Sequence, residues 1–132
     1  MGTVKYLLDT HTLLWLLRGS KELSNTAKTT LNDTNVKKYV SAVSGYEIMY
    51  KYKLGKLQGF EDIAENYFDV LQKLGAEELP IHTHHAHFAG KMEWEHRDPF
   101  DRLLAAQAVT DNITLITNDD AFRDASWIKV LW

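Results

Sequence analysis

Short apolar segments alternate along the chain with segments in which apolar residues recur at helical spacing. Strand-like segments, rich in β-branched and apolar residues, run from Thr3 to Leu8, Lys38 to Ala42, Glu78 to Ile81, Ile113 to Thr117 and Ile128 to Leu131. Helical spacing is clearest from Glu61 to Leu74. Further helices are predicted before Gly19, from Ser24 or Asn25 to about Leu31, from Tyr46 to Lys56, from Thr83 to Trp94, and from Pro99. The alternation predicts an α/β fold, a three-layer α/β/α sandwich with a mostly parallel central sheet.

The composition is that of an ordinary globular protein and narrows the class only a little. The chain has 132 residues, 45% of them hydrophobic and 25% charged, which predicts a single domain over residues 1–132. There are no cysteines, so disulfides and thiolate metal sites are excluded. The apolar run from Leu7 to Leu17 is too short to span a bilayer, and no secretory signal precedes it. We therefore expect a cytoplasmic protein with no membrane association.

Four separate segments each carry an acidic residue at the end of a predicted strand or the start of a predicted helix. Asp9 ends the first strand, and Glu47 opens the helix after the second. Asp101 lies at the start of the helix opened by Pro99, and Asp119 follows the fourth strand. Because ligands of open α/β sheets bind beyond the carboxyl ends of the strands, we expect the four carboxylates at one edge of the sheet.

Several carboxylates at one edge need a compensating positive charge. Two carboxylates ~4 Å apart repel by about 4 kcal/mol at an effective dielectric constant near 20, and a proton or a cation removes that cost. Hard ions such as Mg²⁺ and Mn²⁺ bind carboxylates together with water, lower the pKa of that water and neutralise the transition state of a phosphodiester. The residues therefore indicate a divalent-metal site. Such a site would let a chain of net charge −3 act on a nucleic acid.

Helix capping is the alternative role for each acid taken singly. An aspartate between a strand and a helix often accepts hydrogen bonds from the first N–H groups of the helix. Asp9 is the hardest to explain in this way, because it is embedded in an apolar run. Asp98 precedes Pro99 and is well placed as an N-cap, yet it also lies one helical turn before Asp101. It is therefore either a cap or a further acid of the metal site.

Four blocks of the sequence resemble PIN-domain ribonucleases, in particular the VapC-type toxins of bacterial toxin–antitoxin pairs. They are YLLDTHTLLW (6–15), VSAVSGYEI (40–48), HRDPFDRLLAAQA (96–108) and LITNDDAF (115–122), in the family's order. The third block is the most specific. The resemblance covers nearly the whole chain and implies a PIN-like fold.

The resemblance also implies a function and a set of site residues. Asp9, Glu47, Asp101 and Asp119 would bind one or two divalent ions, Mg²⁺ or Mn²⁺, and the ions would activate water to hydrolyse RNA. It implies in addition that a small antitoxin protein holds the chain inactive. All four acids are present, so an active ribonuclease is expected. The alternative is a PIN fold that binds RNA or a protein without turnover.

Two other classes that gather acids around Mg²⁺ fit less well. A phosphatase of the haloacid-dehalogenase kind needs a second aspartate two residues after the first, and His11 stands there. A receiver domain needs an acid pair at an early strand end and a lysine at a late one, and neither is evident.

Histidines and lysines near the predicted site have both a functional and a structural interpretation. The histidines at 82, 84, 85 and 87 form only loose pairs, so we expect solvated imidazoles at a helix start rather than a zinc site. His96 and Arg97 either contact phosphate, orient a carboxylate or serve the fold. The lysines at 51, 53 and 56 either hold an RNA backbone or form a solvated surface.

Two helices carry more large apolar residues than a small core readily absorbs. These residues are Tyr46, Met49, Tyr50, Tyr67 and Phe68. Exposed apolar grooves commonly receive an amphipathic helix, and an arginine of such a partner would pair with the carboxylates of the site. We therefore expect a homodimer in isolation and a complex with an antitoxin in the cell. The alternative is that these side chains fill the core.

Overall fold

A parallel sheet lies at the centre of the computed structural model, which describes residues 2–132. Its strands are β1 (Lys5–Leu8), β2 (Lys37–Ser41), β3 (Glu77–Leu79), β4 (Thr114–Ile116) and β5 (Val130–Leu131). They lie in the order β3-β2-β1-β4-β5, and each pair is parallel. The central strand is therefore β1, which ends immediately before Asp9.

Helices cover both faces of this sheet. They are α1 (Thr10–Arg18), α2 (Asn25–Asn32), α3 (Ala42–Lys53), α4 (Glu61–Glu65), α5 (Tyr67–Leu74), α6 (Thr83–Lys91), α7 (Pro99–Thr110) and α8 (Asp120–Arg123). Within residues 2–132, none of them is both long and apolar enough to cross a membrane.

The core consists of two apolar clusters, one on each face of the sheet. Successive residues of a strand point to opposite faces, so Leu8 packs in one cluster and Leu7 in the other, each fully buried. Leu13 of α1 joins the first cluster, and Leu104 of α7 joins the second. The predicted three-layer α/β/α sandwich with a parallel central sheet is confirmed.

Several helix boundaries differ from the predicted ones. Helix α3 begins at Ala42 rather than at Tyr46, because the Ser41 side chain accepts a hydrogen bond from Val43 N directly at the end of β2. The prediction that Glu47 opens this helix is therefore wrong, and Glu47 lies in its second turn. The helix predicted from Glu61 to Leu74 is divided, since Asn66 has non-helical angles (φ −122°, ψ 33°).

Two further differences lie beside the predicted site. Helix α6 ends at Lys91 and does not continue to Trp94, because the backbone at Met92 is extended (ψ 139°). The short helix α8 was not predicted, and it begins directly after Asp119. Both changes leave loops next to the carboxyl ends of the strands.

Candidate metal centre

Asp9 lies at the carboxyl end of the central strand and is held by two hydrogen bonds. Its Oδ1 accepts from Thr10 N at 2.6 Å, and its Oδ2 accepts from Thr117 Oγ1 at 2.7 Å. Burial raises the pKa of Asp9, and the negative charge of Glu47 raises it further, although the bond from Thr117 and the nearby His11 act in the opposite direction. Asp9 is thus a rigidly oriented carboxylate in surroundings that disfavour its charge.

Thr117 connects Asp9 to Asp119. Its hydroxyl donates to Asp9 and accepts a hydrogen bond from Asp119 N at 3.0 Å. The Asp119 side chain caps α8 by accepting from Ala121 N at 2.9 Å, and it lines a cavity of about 240 Å³ together with Asp9. The role of Thr117 was not predicted from the sequence, because the contact with Asp9 depends on the pairing of β4 with β1.

Glu47 is buried and already has a positive partner. Its Oε2 accepts a hydrogen bond from Lys51 Nζ at 2.6 Å, one helical turn later in α3. The interpretation of Lys51 as a solvated surface residue is therefore wrong, because its ammonium offsets one negative charge of the site. Its neighbours Lys53 and Lys56 are exposed.

Asp101 lies in the first turn of α7 and pairs with His96. His96 Nε2 and Asp101 Oδ2 are 2.6 Å apart. Burial raises the pKa of Asp101 to about 7 against the bond from His96, and the charges of Asp98 and Asp9 contribute to the rise. The interpretation that His96 orients a carboxylate is confirmed.

Asp98 caps α7, as one of its two interpretations predicted. Its Oδ1 accepts hydrogen bonds from Phe100 N at 2.9 Å and Asp101 N at 3.4 Å. A ligand atom of Asp98 nevertheless lies within 4.8 Å of ligand atoms of His96 and Asp101. The cap thus lies beside the site, and its second interpretation stays open.

Arg102 fixes the loop that presents His96. Its guanidinium donates to the carbonyl oxygens of Ala89, Met92, Trp94 and His96 at 2.6–3.0 Å. Sequence reasoning missed this residue, because an arginine after Asp101 suggests a surface charge. Here its guanidinium donates to carbonyl oxygens of an irregular segment, which lack the backbone N–H partners of a helix or sheet.

The structure brings the other three predicted acids near Asp9, but no three of the four carboxylates are close enough to bind one ion directly. Asp9 interacts electrostatically with Glu47 and Asp101, and it shares Thr117 and a cavity with Asp119. Among residues 2–132, no three of these four acids have oxygens within 4.8 Å of one another. A single ion bound directly to three of them would therefore require side-chain movement.

Comparison with known proteins decides the family. A model of the PIN domain matches residues 6–128. The chain belongs to the PIN-domain family. A search of curated proteins found no match.

Solved structures with the same fold are similar over nearly the whole chain. VapBC2 from Rickettsia felis, bound to a DNA fragment from its promoter, is similar with a TM-score of 0.72 and 16% identity, over 97% of this chain and 98% of that one. DNA-bound VapBC from Salmonella typhimurium is similar with a TM-score of 0.70 and 19% identity, over 97% of each chain. VapBC-1 from nontypeable Haemophilus influenzae is similar with a TM-score of 0.69 and 17% identity, over 97% of each chain. The PIN-like fold is confirmed.

One histidine of the cluster in this PIN domain differs from its prediction. The histidines at 82, 84 and 87 are exposed at the start of α6, as predicted, whereas His85 is 1% exposed. Its Nδ1 accepts a hydrogen bond from His82 N, so its proton lies on Nε2, which contacts the Asp111 carboxylate at 3.0 Å. His84, His85 and Asp111 have ligand atoms within 4.8 Å of one another. A metal on His85 Nε2 would nevertheless leave the ring without any proton, whereas metal-bound histidines normally donate from the second nitrogen. We therefore interpret the contact between His85 and Asp111 as structural.

An apolar groove lies between α3 and α5 of the PIN domain. It has a volume of about 550 Å³ and is lined in part by Tyr46, Met49, Tyr67 and Phe68. Phe68 is 86% exposed and Tyr46 65%, and Met49 and Tyr50 are exposed as well. The interpretation that all five predicted residues fill the core is therefore wrong, and only Tyr67 is partly buried.

Proposed function

We propose that this PIN domain is a ribonuclease that hydrolyses RNA phosphodiester bonds with Mg²⁺ or Mn²⁺ bound by Asp9, Glu47, Asp101 and Asp119. The observation that carries the proposal is the concentration of negative charge around the buried Asp9. Burial raises the pKa of both Asp9 and Asp101 above the usual range, and neighbouring carboxylates raise both further. A cation relieves this repulsion and lets both groups ionise.

The donor set fits a hard divalent ion. All four side chains offer carboxylate oxygens, which Mg²⁺ and Mn²⁺ prefer, and Asp119 is exposed, so an ion bound there can also bind water and substrate. Such an ion supplies a water of lowered pKa and neutralises charge on the phosphate. The chain's own contribution is orientation: Thr117 fixes Asp9, and His96 fixes Asp101. The Lys51 ammonium offsets the negative charge of Glu47. An ion bound to Glu47 would release the Lys51 ammonium to pair with an RNA phosphate.

The proposal is tested by cleavage of RNA with purified protein. A panel of tRNA, rRNA and mRNA is incubated with Mg²⁺ or Mn²⁺ and with EDTA, using wild-type protein and Asp9→Asn. We expect ion-dependent cleavage by the wild type and its loss in Asp9→Asn. The matched control is Asp120→Asn, because the Asp120 side chain is 87% exposed and pairs only loosely with Arg123 at 4.0 Å. Cleavage that persists in EDTA or in folded Asp9→Asn would refute the proposal.

A PIN fold that binds RNA without turnover is the second candidate function. The same assay separates the two, because a binding module would retain RNA on a gel without producing fragments. The specific orientation of Asp9 and Asp101 favours an enzyme, since a binding surface for phosphates gains nothing from buried carboxylates.

We also infer that the chain is the toxin of a toxin–antitoxin pair and that the apolar groove receives the antitoxin. The structural neighbours named above are VapBC proteins, and a further neighbour from Mycobacterium tuberculosis is described as a member of the VapBC family of toxin–antitoxin systems. The exposed aromatic side chains at 46, 50 and 68 provide the apolar surface that an amphipathic helix needs. The acidic site beyond the groove would accept an arginine from the same partner.

The partner proposal is tested by growth of bacteria. Expression of the chain alone should arrest growth, and co-expression of the neighbouring small reading frame should relieve the arrest. Phe68→Asp should stay toxic but lose the relief, whereas Val4→Asp, on a residue 53% exposed outside the groove, should keep it. Relief of Phe68→Asp equal to that of the wild type would exclude the groove as the antitoxin surface. If Phe68→Asp instead changes only the oligomeric state, the groove is the surface of the expected homodimer.

A further inference from the structure

A tryptophan-lined cavity lies next to Asp101 and is not used by the proposed metal site. Its volume is about 590 Å³, within the range of small-molecule sites. One wall is the loop that carries Trp94 and His96, and the other is α8 and the segment that ends at Trp127. His96 belongs to this wall and also contacts Asp101 at 2.6 Å, so the cavity lies one side chain away from the proposed metal site.

The aromatic side chains form a rigid platform. The rings of Trp94 and Trp127 meet edge to face, with centroids 5.4 Å apart and an interplanar angle of 88°. Trp94 also packs on His96, with centroids 4.9 Å apart, and on Phe122, which is fully buried. Trp127 is 40% exposed and lines the cavity, so part of its indole ring is accessible to a ligand. Exposed aromatic faces of this kind stack on unpaired bases of single-stranded RNA.

The charge of the cavity selects which part of an RNA enters it. Its lining includes the exposed carboxylates of Glu93, Glu95 and Asp124. These repel a phosphate, so the cavity suits a base rather than the backbone. A carboxylate accepts two parallel hydrogen bonds, and guanine offers two adjacent donors, N1–H and the N2 amino group. Adenine, cytosine and uracil place an acceptor beside their donor, which a carboxylate repels.

We propose that this cavity is a base subsite that binds an unpaired guanine next to the bond that is cleaved. Trp127 stacks on the base, and a carboxylate of Glu93, Glu95 or Asp124 accepts from its Watson–Crick edge. The proposal rests on the proposed ribonuclease activity and adds a substrate preference to it. It makes Trp127 a substrate-binding residue and the loop of Trp94 and His96 the connection between base and metal site.

The first test needs no variant of the protein. Short single-stranded RNAs that contain one guanine are compared with the same RNAs carrying inosine, which lacks only the N2 amino group, or adenine. We expect kcat/KM to fall about tenfold or more with inosine, since hydrogen bonds to charged groups contribute about 1.5–3 kcal/mol. Equal kcat/KM for guanine and inosine would overturn the proposal.

Variants then assign the preference to this cavity. Trp127→Ala should raise KM by about tenfold with little change in kcat, and Trp127→Phe should restore most of the affinity because it still stacks. The triple variant Glu93→Gln/Glu95→Gln/Asp124→Asn should bind guanine and inosine alike, whereas the exposed Glu22→Gln should keep the wild-type preference. A guanine preference that survives the triple variant would place base recognition elsewhere.

A binding measurement separates this proposal from the ribonuclease proposal. In EDTA, which removes divalent ions, the same RNAs are titrated against the protein and tryptophan fluorescence is followed. Stronger binding of the guanine RNA than of the inosine RNA supports the subsite even if no cleavage is found with Mg²⁺ or Mn²⁺. Equal binding of both RNAs refutes the subsite, whatever the outcome for cleavage.

Discussion

Asp101 and Asp111 lie near the two ends of α7, and each accepts a hydrogen bond from a histidine, yet their pKa values move in opposite directions. Burial raises the pKa of Asp101 to about 7 despite a 2.6 Å contact with His96. Burial also opposes the ionisation of Asp111, but the bonds from His85 and His84 outweigh it and lower its pKa. The distance to a histidine therefore does not decide the charge state of these aspartates.

The difference comes first from burial, since the Asp101 side chain is 14% exposed and that of Asp111 28%, and then from the other charges around each pair. Asp101 is near the carboxylates of Asp98 and Asp9, whose negative charges disfavour its ionisation unless a proton or a cation compensates them. Asp111 has two histidines and, among the contributions that shift its pKa, no second carboxylate. We propose that the first pair takes up a cation, whereas the second is a structural contact between α6 and the end of α7.

The largest expected effect separates the two aspartates by activity. Asp101→Asn should reduce RNA cleavage by about a hundredfold or more, because partners of metal ligands already cost about 10–100-fold and this change removes a ligand. Asp111→Asn should cleave RNA at the wild-type rate, since an amide oxygen still accepts from His85. Initial rates at saturating Mn²⁺ measure both. Equal rates in the two variants would remove the distinction.

The second effect concerns stability, where the change at Asp111 should be more harmful than the change at Asp101. Asp111→Ala should lower the free energy of unfolding by about 1–3 kcal/mol, because it leaves the buried His85 Nε2–H without its acceptor. Asp101→Ala should leave stability unchanged or raise it, since a repelled carboxylate is lost. Urea denaturation without divalent ions compares them. A greater loss of stability in Asp101→Ala than in Asp111→Ala would contradict the account.

A smaller effect tests how each histidine is held. His85 is held by helix α6, whereas His96 lies in a loop fixed by Arg102. Arg102→Lys loses the planar fork that reaches several carbonyl oxygens, so we expect about 1–2 kcal/mol less stability. Because His96 then orients Asp101 less well, the Mn²⁺ concentration for half-maximal cleavage should rise by less than tenfold. An unchanged metal requirement would mean that the loop does not position the site.

The smallest effect is in the pH dependence of stability without divalent ions. Folding raises the pKa of Asp101 from 3.8 to about 7, so its contribution to stability is full below pH 3.8 and is lost as the pH rises through about 7. Asp111 has a lowered pKa, so its contribution is present above pH 3.8 and is lost as the pH falls further. Melting temperatures from pH 3 to 8 should show the first change vanish in Asp101→Asn and the second in Asp111→Asn. The reverse assignment would contradict the account.

The sheet and the caps of its neighbouring helices were predictable because their signals are local. The apolar run before Asp9 predicts a buried strand, and Gly19 ends α1 in the left-handed conformation that favours glycine (φ 68°). Asp98 and Pro99 occupy the cap and first position of α7, as their order in the sequence indicates. Asp9 and Asp119 follow strands β1 and β4, so their common position at the carboxyl edge of the sheet was also predictable.

The contacts that organise the site were not predictable, because each joins residues far apart in the chain. Thr117 donates a hydrogen bond to Asp9, which lies 108 positions earlier in the chain. His85 can be buried because Asp111, 26 positions later, accepts a hydrogen bond from its Nε2–H. The early start of α3 has a different cause, since Ser41 is both the last residue of a strand and the cap of a helix. Composition and spacing do not indicate that one residue both ends a strand and caps the following helix.

Binding of Mn²⁺ measured by isothermal titration calorimetry tests the central claim most directly. At pH 8, where Asp101 is ionised in the wild type, we expect binding to the wild type and at least about tenfold weaker binding to Asp101→Asn. Asp111→Asn, the matched aspartate beside a histidine, should bind as the wild type does. Wild-type affinity in Asp101→Asn, or a loss confined to Asp111→Asn, would contradict a metal centre built around Asp9 and Asp101.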